Sequence, residues 1–277
     1  MNYHQLKLKI HTIDTVFPSI VLIKRILEKM NDPELSATEL SGYIKNDQAL
    51  VAKILKLSNS AFYGFSRRIN TIRDAISLLG YNTIKSIVLS LSFRQMLEIF
   101  DVKKEFLDNF SKHSMMTAFL AEEMTASQLK NYDPDIAYLA GLLHDIGKLV
   151  LMQFEGKEYE LLLQLSKKNT ESLYAIERKN RDNTHEDVGG FLLDKWGLPV
   201  VYVNVVQKHH SSVPCEENPK TYEEIIQTSN RLAHFLNFGD SGNYESIELT
   251  EYEVQLLEKL RPAIDRIMAF VQEIWEA

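Results

Sequence analysis

The stretch Leu142-Leu143-His144-Asp145-Ile146-Gly147-Lys148 sets an imidazole beside a carboxylate at the end of an apolar run, Ile136 to Leu143. That run reads as a buried helix. Two ionisable groups at its end are costly unless they are hydrogen-bonded, paired or bound to a metal. Adjacent His and Asp side chains can ligate one ion, or a close pair of ions, from a single element. Lys148 lies four residues beyond His144, one turn away if the helix continues. It reads equally well as a cation for an anionic substrate and as a solvated lysine at a helix terminus.

The other histidines follow the same pattern once each is placed on its own helix. On a helix predicted near Lys104 to Met124, the residues Phe106, Phe110, His113, Thr117, Leu120 and Met124 form one stripe. His185 shares a face with Val188, Gly189, Leu192 and Trp196, on a helix capped by Asn183-Thr184. Val203, Val206 and His210 share another, with His209 as neighbour. On a helix from Tyr222 to Leu236, Asn230 lies in a stripe with Ile226, Ser229 and Ala233. A lone inward histidine is ordinarily a core residue bonded to a carbonyl. Five of them with Asp145 are costly to satisfy singly in a dry core, and converging on metal they satisfy one another.

This ligand set is nitrogen and oxygen without thiolate. It suits one or two divalent ions, Fe, Mn, Ni or Zn, and argues against a structural zinc finger. Such a site supports hydrolysis by lowering the pKa of a bound water and holding a phosphoryl oxygen. Glu177 precedes His185 by eight residues and cannot share its helix face. It either orients a ligand histidine or, more simply from spacing, is a plain surface acid. His234, one turn after Asn230, reads as a supporting or merely structural residue. His4 and His11 read as solvent-exposed.

Composition narrows the class. The 277 residues fit one large or two small domains, and 45% hydrophobic content supports a sizeable core. Thirty-one basic against 38 acidic residues, a formal charge of −7, leave no electrostatic footprint for duplex nucleic acid or an anionic membrane. A single cysteine, Cys215, rules out an internal disulfide framework and points to a reducing compartment. The start has no signal-peptide form and no apolar run is long enough to span a membrane, so a cytoplasmic protein is expected.

Apolar spacing is helical almost throughout, and the expected fold is all-α. Helices are predicted over 18–30, 36–44, 49–57 (capped by Asp47), 71–79, 82–99, 104–124, 136–143, 159–168, 173–179, 184–196, 200–210, 222–236 and 251–275. The loop from Phe238 to Ser246, with Gly239 and Gly242, is expected to be mobile. An N-terminal helical half over 1–100 and a second half over 101–277 that carries the histidines are the expected divisions.

These residues resemble the HD superfamily of metal-dependent phosphohydrolases. Within it, about Val16 to Ser212 resembles the HDOD family of bacterial signalling and regulatory modules. The matching pieces in the first half are Phe17-Pro18, Ile44 to Asp47, Leu55 to Ser60, and Ile72 to Gly80. In the second half they are Ala140 to Lys148, Glu177, His185 to Gly190, the Trp196 to Pro199 corner and His209-His210. The resemblance implies a multi-helix fold with an HD-type bundle packed against the N-terminal half. It implies metal ligands at His113, His144, Asp145, His185, His209, His210 and Asn230, with Asp145 and Lys148 as the residues that would serve catalysis. Many HDOD modules resemble degenerate phosphohydrolases kept for signalling, which implies protein partners and a phosphorylated small-molecule ligand. The alternative implication is an active phosphohydrolase or phosphodiesterase on a nucleotide or phosphate ester. This chain departs from the pattern at Asn230, where catalytic HD enzymes carry Asp, and at Gln48, where the family usually has Pro. The related phosphodiesterases of cyclic di-GMP carry Gly-Tyr-Pro after the paired histidines; here the residues are Ser211-Ser212-Val213-Pro214-Cys215.

Overall fold

The computed structural model describes residues 3–10, 23, 37–45, 47–60, 63–65, 68–210 and 213–276. Among them there are thirteen helices and no strand. The helix expected over 18–30 lies outside the described residues, apart from Ile23. Contacts divide the chain into two units. The larger comprises Met1–Thr15 with Phe100–Asp265, and the smaller Val16–Ile99 with Arg266–Ala277.

The smaller unit holds α2 (Ala37–Ile44), α3 (Gln48–Ser58), α4 (Ile72–Leu79) and α5 (Tyr81–Leu97). Asp47 caps α3 by accepting from the Leu50 N–H at 2.9 Å, and Thr71 caps α4 by accepting from the Asp74 N–H at 3.0 Å. Each bond satisfies a backbone donor that the first helical turn leaves open. Asn59 closes α3. Its amide donates to the Leu55 and Ile69 carbonyls at 2.7 and 2.8 Å, and its Oδ1 accepts from the Ile69 N–H at 2.8 Å. One side chain thereby ties the end of α3 to the approach to α4. Arg94 of α5 donates to the Ile274 carbonyl at 2.9 Å and lies 4.2 Å from the Trp275 ring, fastening the last turns of the chain within this unit.

The larger unit begins with α1 (Tyr3–Ile10) and continues with α6 (Lys104–Gln128), α7 (Pro134–Leu143), α8 (Ile146–Asn169) and α9 (Leu173–Asn180). Then come α10 (His185–Lys195), α11 (Val200–Lys208), α12 (Tyr222–Phe235) and α13 (Glu251–Glu276), whose residues from Arg266 onward cluster with the smaller unit. Phe110, His113, Thr117, Leu120 and Met124 on α6 are buried, as the stripe predicts, and Phe106 at its start is half-buried. Pro134 opens α7, where its missing N–H costs nothing. The helix expected over 159–168 is the distal part of α8. That helix starts at Ile146 and kinks at Gly156, whose φ of 31° is costly for a side chain with a Cβ.

Two close backbone approaches hold the helices that carry the His-Asp stretch. A Cβ on Gly141 would stand 2.6 Å from the Ala118 Cα, so α7 lies directly on α6. A Cβ on Gly147 would stand 1.9 Å from the His185 carbonyl oxygen, so the start of α8 lies directly on the start of α10. Asp145, between these glycines, is thus brought to two different pairs of helices.

The loop after α12 is tied down rather than loose. The Asp240 N–H donates to the Asn109 carbonyl at 3.1 Å, and Asn243 Oδ1 accepts from the Leu173 N–H at 3.0 Å. The Ser166 hydroxyl accepts from the Tyr244 N–H at 3.4 Å, and Ser241 is fully buried. The expectation of mobility rested on Gly239 and Gly242. These glycines serve close packing instead: a Cβ on Gly239 would lie 2.4 Å from the His113 backbone nitrogen.

Candidate metal centre

The helix carrying the apolar run ends at Leu143, and α8 starts at Ile146. His144 keeps helical dihedrals, while Asp145 (φ −99°, ψ 6°) turns the chain into α8. The corner aims both side chains into the larger unit, and neither is exposed. The Asp145 carboxylate then sits among four imidazoles. Its Oδ2 faces His144 Nε2 at 3.3 Å and His113 Nε2 at 3.9 Å. Its Oδ1 faces His185 Nε2 and His209 Nε2, each at 3.4 Å.

Ligand-type atoms therefore gather into two groups with one shared member. His113, His144 and Asp145 form one, and Asp145, His185, His209 and His210 the other; within each group the atoms lie within 4.8 Å of one another. Six of the seven expected ligands are thus brought together. Asn230 is buried on α12 with an Oδ1 that lacks a hydrogen bond. Its helix packs on α6 and α7.

The hydrogen bonds select ring tautomers suited to a cation. His144 Nδ1 lies 2.7 Å from the Gly141 carbonyl, His209 Nδ1 lies 3.0 Å from the Val206 carbonyl, and His185 Nδ1 lies 2.6 Å from Glu177 Oε2. A carbonyl or carboxylate partner requires N–H at Nδ1, which leaves each Nε2 with a lone pair. All three Nε2 atoms face Asp145. Nε2 of His113, His144 and His210, together with Asp145 Oδ1 and Asn230 Oδ1, is buried without a hydrogen bond. Buried polar atoms are rarely left so, and lone pairs converging on one carboxylate are what a divalent cation satisfies. The residues fit a metal centre.

The electrostatics agree. Burial opposes charge on Asp145, but the neighbouring His144 ring and the Lys148 ammonium outweigh it and hold the carboxyl well below its ordinary range. Burial drives the His209 ring down to about 3 and the His113 and His210 rings well below their ordinary value, so they stay neutral and able to ligate. A proton on any neighbouring ring would repel one on these, which acts in the same direction.

Two of the open readings are decided by burial. Lys148 is 1% exposed, so it is no solvated lysine. The helix restarts at Ile146, and this puts Lys148 in a first turn, three residues after Asp145. Its ammonium donates to Asp145 Oδ2 at 2.7 Å and to Ser241 Oγ at 3.1 Å. Glu177 is fully buried, so the surface-acid reading fails. Its Oε2 accepts from both the backbone N–H (3.0 Å) and Nδ1 (2.6 Å) of His185, and its Oε1 accepts from the Tyr159 hydroxyl at 2.6 Å. Burial raises its pKa, yet the adjoining His185 ring and these bonds prevail and hold it low. His234 lies against His113, ring centroids 4.4 Å apart, and burial takes it to about 3.

Three residues beside the centre escaped the sequence reading. Glu186 accepts from the backbone N–H of His210 at 2.7 Å and lies 3.6 Å from His209 Nδ1; burial pushes its carboxyl up to about 7. Its position next to His185 was the available signal. Tyr159 and Ser241 reach the site from distant elements, and nothing in their spacing marks them.

The HDOD domain model matches residues 17–212. An uncharacterized protein from Treponema pallidum is 27% identical over 251 residues, covering 88% of this chain and 47% of that protein. The ribonuclease Y of Bacillus subtilis is 48% identical over 63 residues, covering 23% of this chain and 12% of that protein. The chain spans about half or less of the length of these curated relatives. A crystal structure of an HDOD domain protein with unknown function from Geobacter sulfurreducens superposes with a TM-score of 0.79 at 22% identity, covering 98% of this chain and 97% of that one. Among the described residues no helix is long and apolar enough to cross a membrane. With the family pattern matched over most of its length and the fold shared with a solved member, the chain belongs to the HDOD domain family.

Proposed function

We propose that this chain is a bacterial signalling or regulatory module whose larger unit binds divalent metal, as one ion or a close pair, through His113, His144, Asp145, His185, His209 and His210, with Asn230 as a further oxygen donor. The observation that carries the reading is the sharing of Asp145 by two groups of buried imidazoles whose Nε2 atoms face it. The burial favours regulation over turnover. His113, His144, Asp145, His185 and His209 have no exposure, and only His210 of the two groups is partly exposed. Turnover needs room at the metal for a phosphate ester, an attacking water and a departing group together, and one partly exposed ligand offers less than that. Signals then pass to non-covalent protein partners, and a phosphorylated small molecule is the ligand class that a cationic, Lys148-bearing centre suits.

Lys148 favours a second reading, a metal-dependent phosphohydrolase acting on a nucleotide or phosphate ester. When bound, the metal would supply Lewis acidity toward a phosphoryl oxygen and lower the pKa of a water. The ammonium of Lys148 would hold a second phosphoryl oxygen, and Ser241 would keep it aimed. Asp145 would anchor that ammonium through Oδ2. Ribonuclease Y, which shares a short stretch with this chain, bears the name of an RNA-cleaving enzyme.

The test is metal content in protein purified without chelator or nickel resin, with His144→Ala beside it. Near-stoichiometric Fe, Mn, Ni or Zn that disappears in the variant is the expected result. Wild-type protein that arrives empty and takes up no Mn²⁺ or Fe²⁺ would overturn both readings. Turnover of a generic phosphodiester by the loaded protein, lost in Asp145→Ala, would promote the second reading over the first.

A further inference from the structure

The two halves of the centre are built differently, and the difference lies behind the ligands. In the half containing His185, His209 and His210, a carboxylate backs the His185 ring. Glu177 Oε2 lies 2.6 Å from His185 Nδ1, while Glu186 accepts from the backbone N–H of His210 at 2.7 Å and His209 Nδ1 meets the Val206 carbonyl at 3.0 Å. Glu177 is itself fixed. Tyr159 donates to its other oxygen at 2.6 Å, and both side chains have no exposure. Arg181 reinforces the same corner: its Nε donates to the Asn183 carbonyl at 3.0 Å and its Nη1 pairs with Glu155, next to the Thr184 cap of α10.

The half containing His113 and His144 has none of this. No carboxylate stands behind either ring: His144 Nδ1 meets a neutral carbonyl, as His209 Nδ1 does, and neither ring nitrogen of His113 has a hydrogen bond. His113 stacks instead on another imidazole, His234. The Asp145 oxygen on this side, Oδ2, is already engaged by the Lys148 ammonium at 2.7 Å. A carboxylate behind a histidine fixes its tautomer and raises its basicity as a ligand. A cation already seated on the shared carboxylate does the reverse for an incoming metal.

Resting on the metal-binding reading above, we infer that the centre is asymmetric: the His185–His209–His210 half with Asp145 takes the first ion tightly, the His113–His144 half takes the second weakly, and Glu177 held by Tyr159 is the positioning residue that sets the difference.

The experiment is a Mn²⁺ titration of the metal-free full chain, with bound and free ion followed by electron paramagnetic resonance and by calorimetry. Wild type should show a tight and a weak class. His113→Ala should lose the weak class and keep the tight one. Glu177→Gln keeps the shape of the side chain but removes its charge, and it should weaken the tight class about 10–100-fold. Tyr159→Phe should shift the tight class the same way by less, and circular dichroism checks that both variants fold. Two equal classes, a tight class lost in His113→Ala, or unchanged tight binding in folded Glu177→Gln overturns the inference. No Mn²⁺ bound by wild type overturns the metal centre itself, a distinct outcome.

Discussion

Lys148 Nζ stands 2.7 Å from Asp145 Oδ2, with 1% of the lysine side chain and none of the aspartate exposed. Lys148→Met fills the space and removes the charge. Breaking one partner of a buried ion pair typically costs about 3–5 kcal/mol, because the other charge is left uncompensated. Metal-free Lys148→Met should lose stability on that scale in urea unfolding. Mn²⁺-loaded protein should lose clearly less, since the ion supplies positive charge to the same carboxylate. Equal losses with and without Mn²⁺ would show that the ion does not reach Asp145.

Gly147→Ala tests the contact between α8 and α10. The new Cβ would meet the His185 carbonyl oxygen at 1.9 Å and the Gly189 nitrogen at 2.7 Å, both rigid backbone atoms. Overpacking of this kind costs about 1–3 kcal/mol and occasionally more, and the upper end is expected here. His185 must move away from Asp145, so Mn²⁺ affinity should fall as well. Gly42→Ala is the control: it lies in α2 with nothing within 4 Å of the added carbon. That change should be neutral or stabilise by roughly 0.5–1 kcal/mol.

The sequence made the helices and most of the centre legible because both are written in local spacing. His113 lies in a stripe of period 3.6 and is buried where that stripe says. Asp47, Thr71 and Thr184 cap helices because a side-chain oxygen three residues before a free N–H is a local relation. The misreadings all involve bonds between distant segments. The surface reading of Glu177 failed because its compensating partners, Tyr159 and His185, come from two other helices. The solvated reading of Lys148 failed because the turn at Asp145 redirects the chain, and its second partner, Ser241, is 93 residues away. The loop after α12 looked free because its anchors, Asn109 and Ser166, lie on other helices.

Acid should destabilise the metal-free protein well above the ordinary carboxylate range, with Glu186, which burial pushes up to about 7, taking up a proton in the fold over the same window and offsetting part of the loss. His209 and His234 fall to about 3 in the folded state, through burial above all, against an ordinary value of 6.5. Between those values the unfolded chain holds protons that the folded chain does not. Stability is therefore full above about pH 6.5 and falls as pH drops, at ~1.4 kcal/mol per pH unit for each such ring. His113 and His210 move in the same direction. The urea midpoint of chelator-treated protein should drop steeply from pH 7 to pH 5. A midpoint that is flat over this range would mean that these rings are already protonated in the fold.

Asn230→Asp asks whether the neutral amide limits the weak half of the centre. Asn230 is 3% exposed and its Oδ1 has no hydrogen bond, so a carboxylate there would be a buried charge without a partner. In metal-free protein the substitution should lower the urea midpoint, or the new carboxyl should take up a proton instead of charging. With Mn²⁺ the sign reverses, since an anionic oxygen binds a divalent ion more strongly than an amide oxygen does. The weak class in the titration should tighten while the tight class stays in place, and Mn²⁺ should recover the lost stability. If Asn230→Asp weakens the protein equally with and without Mn²⁺ and leaves both classes unchanged, Asn230 is a core amide on α12 and the centre is made by the histidines and Asp145 alone.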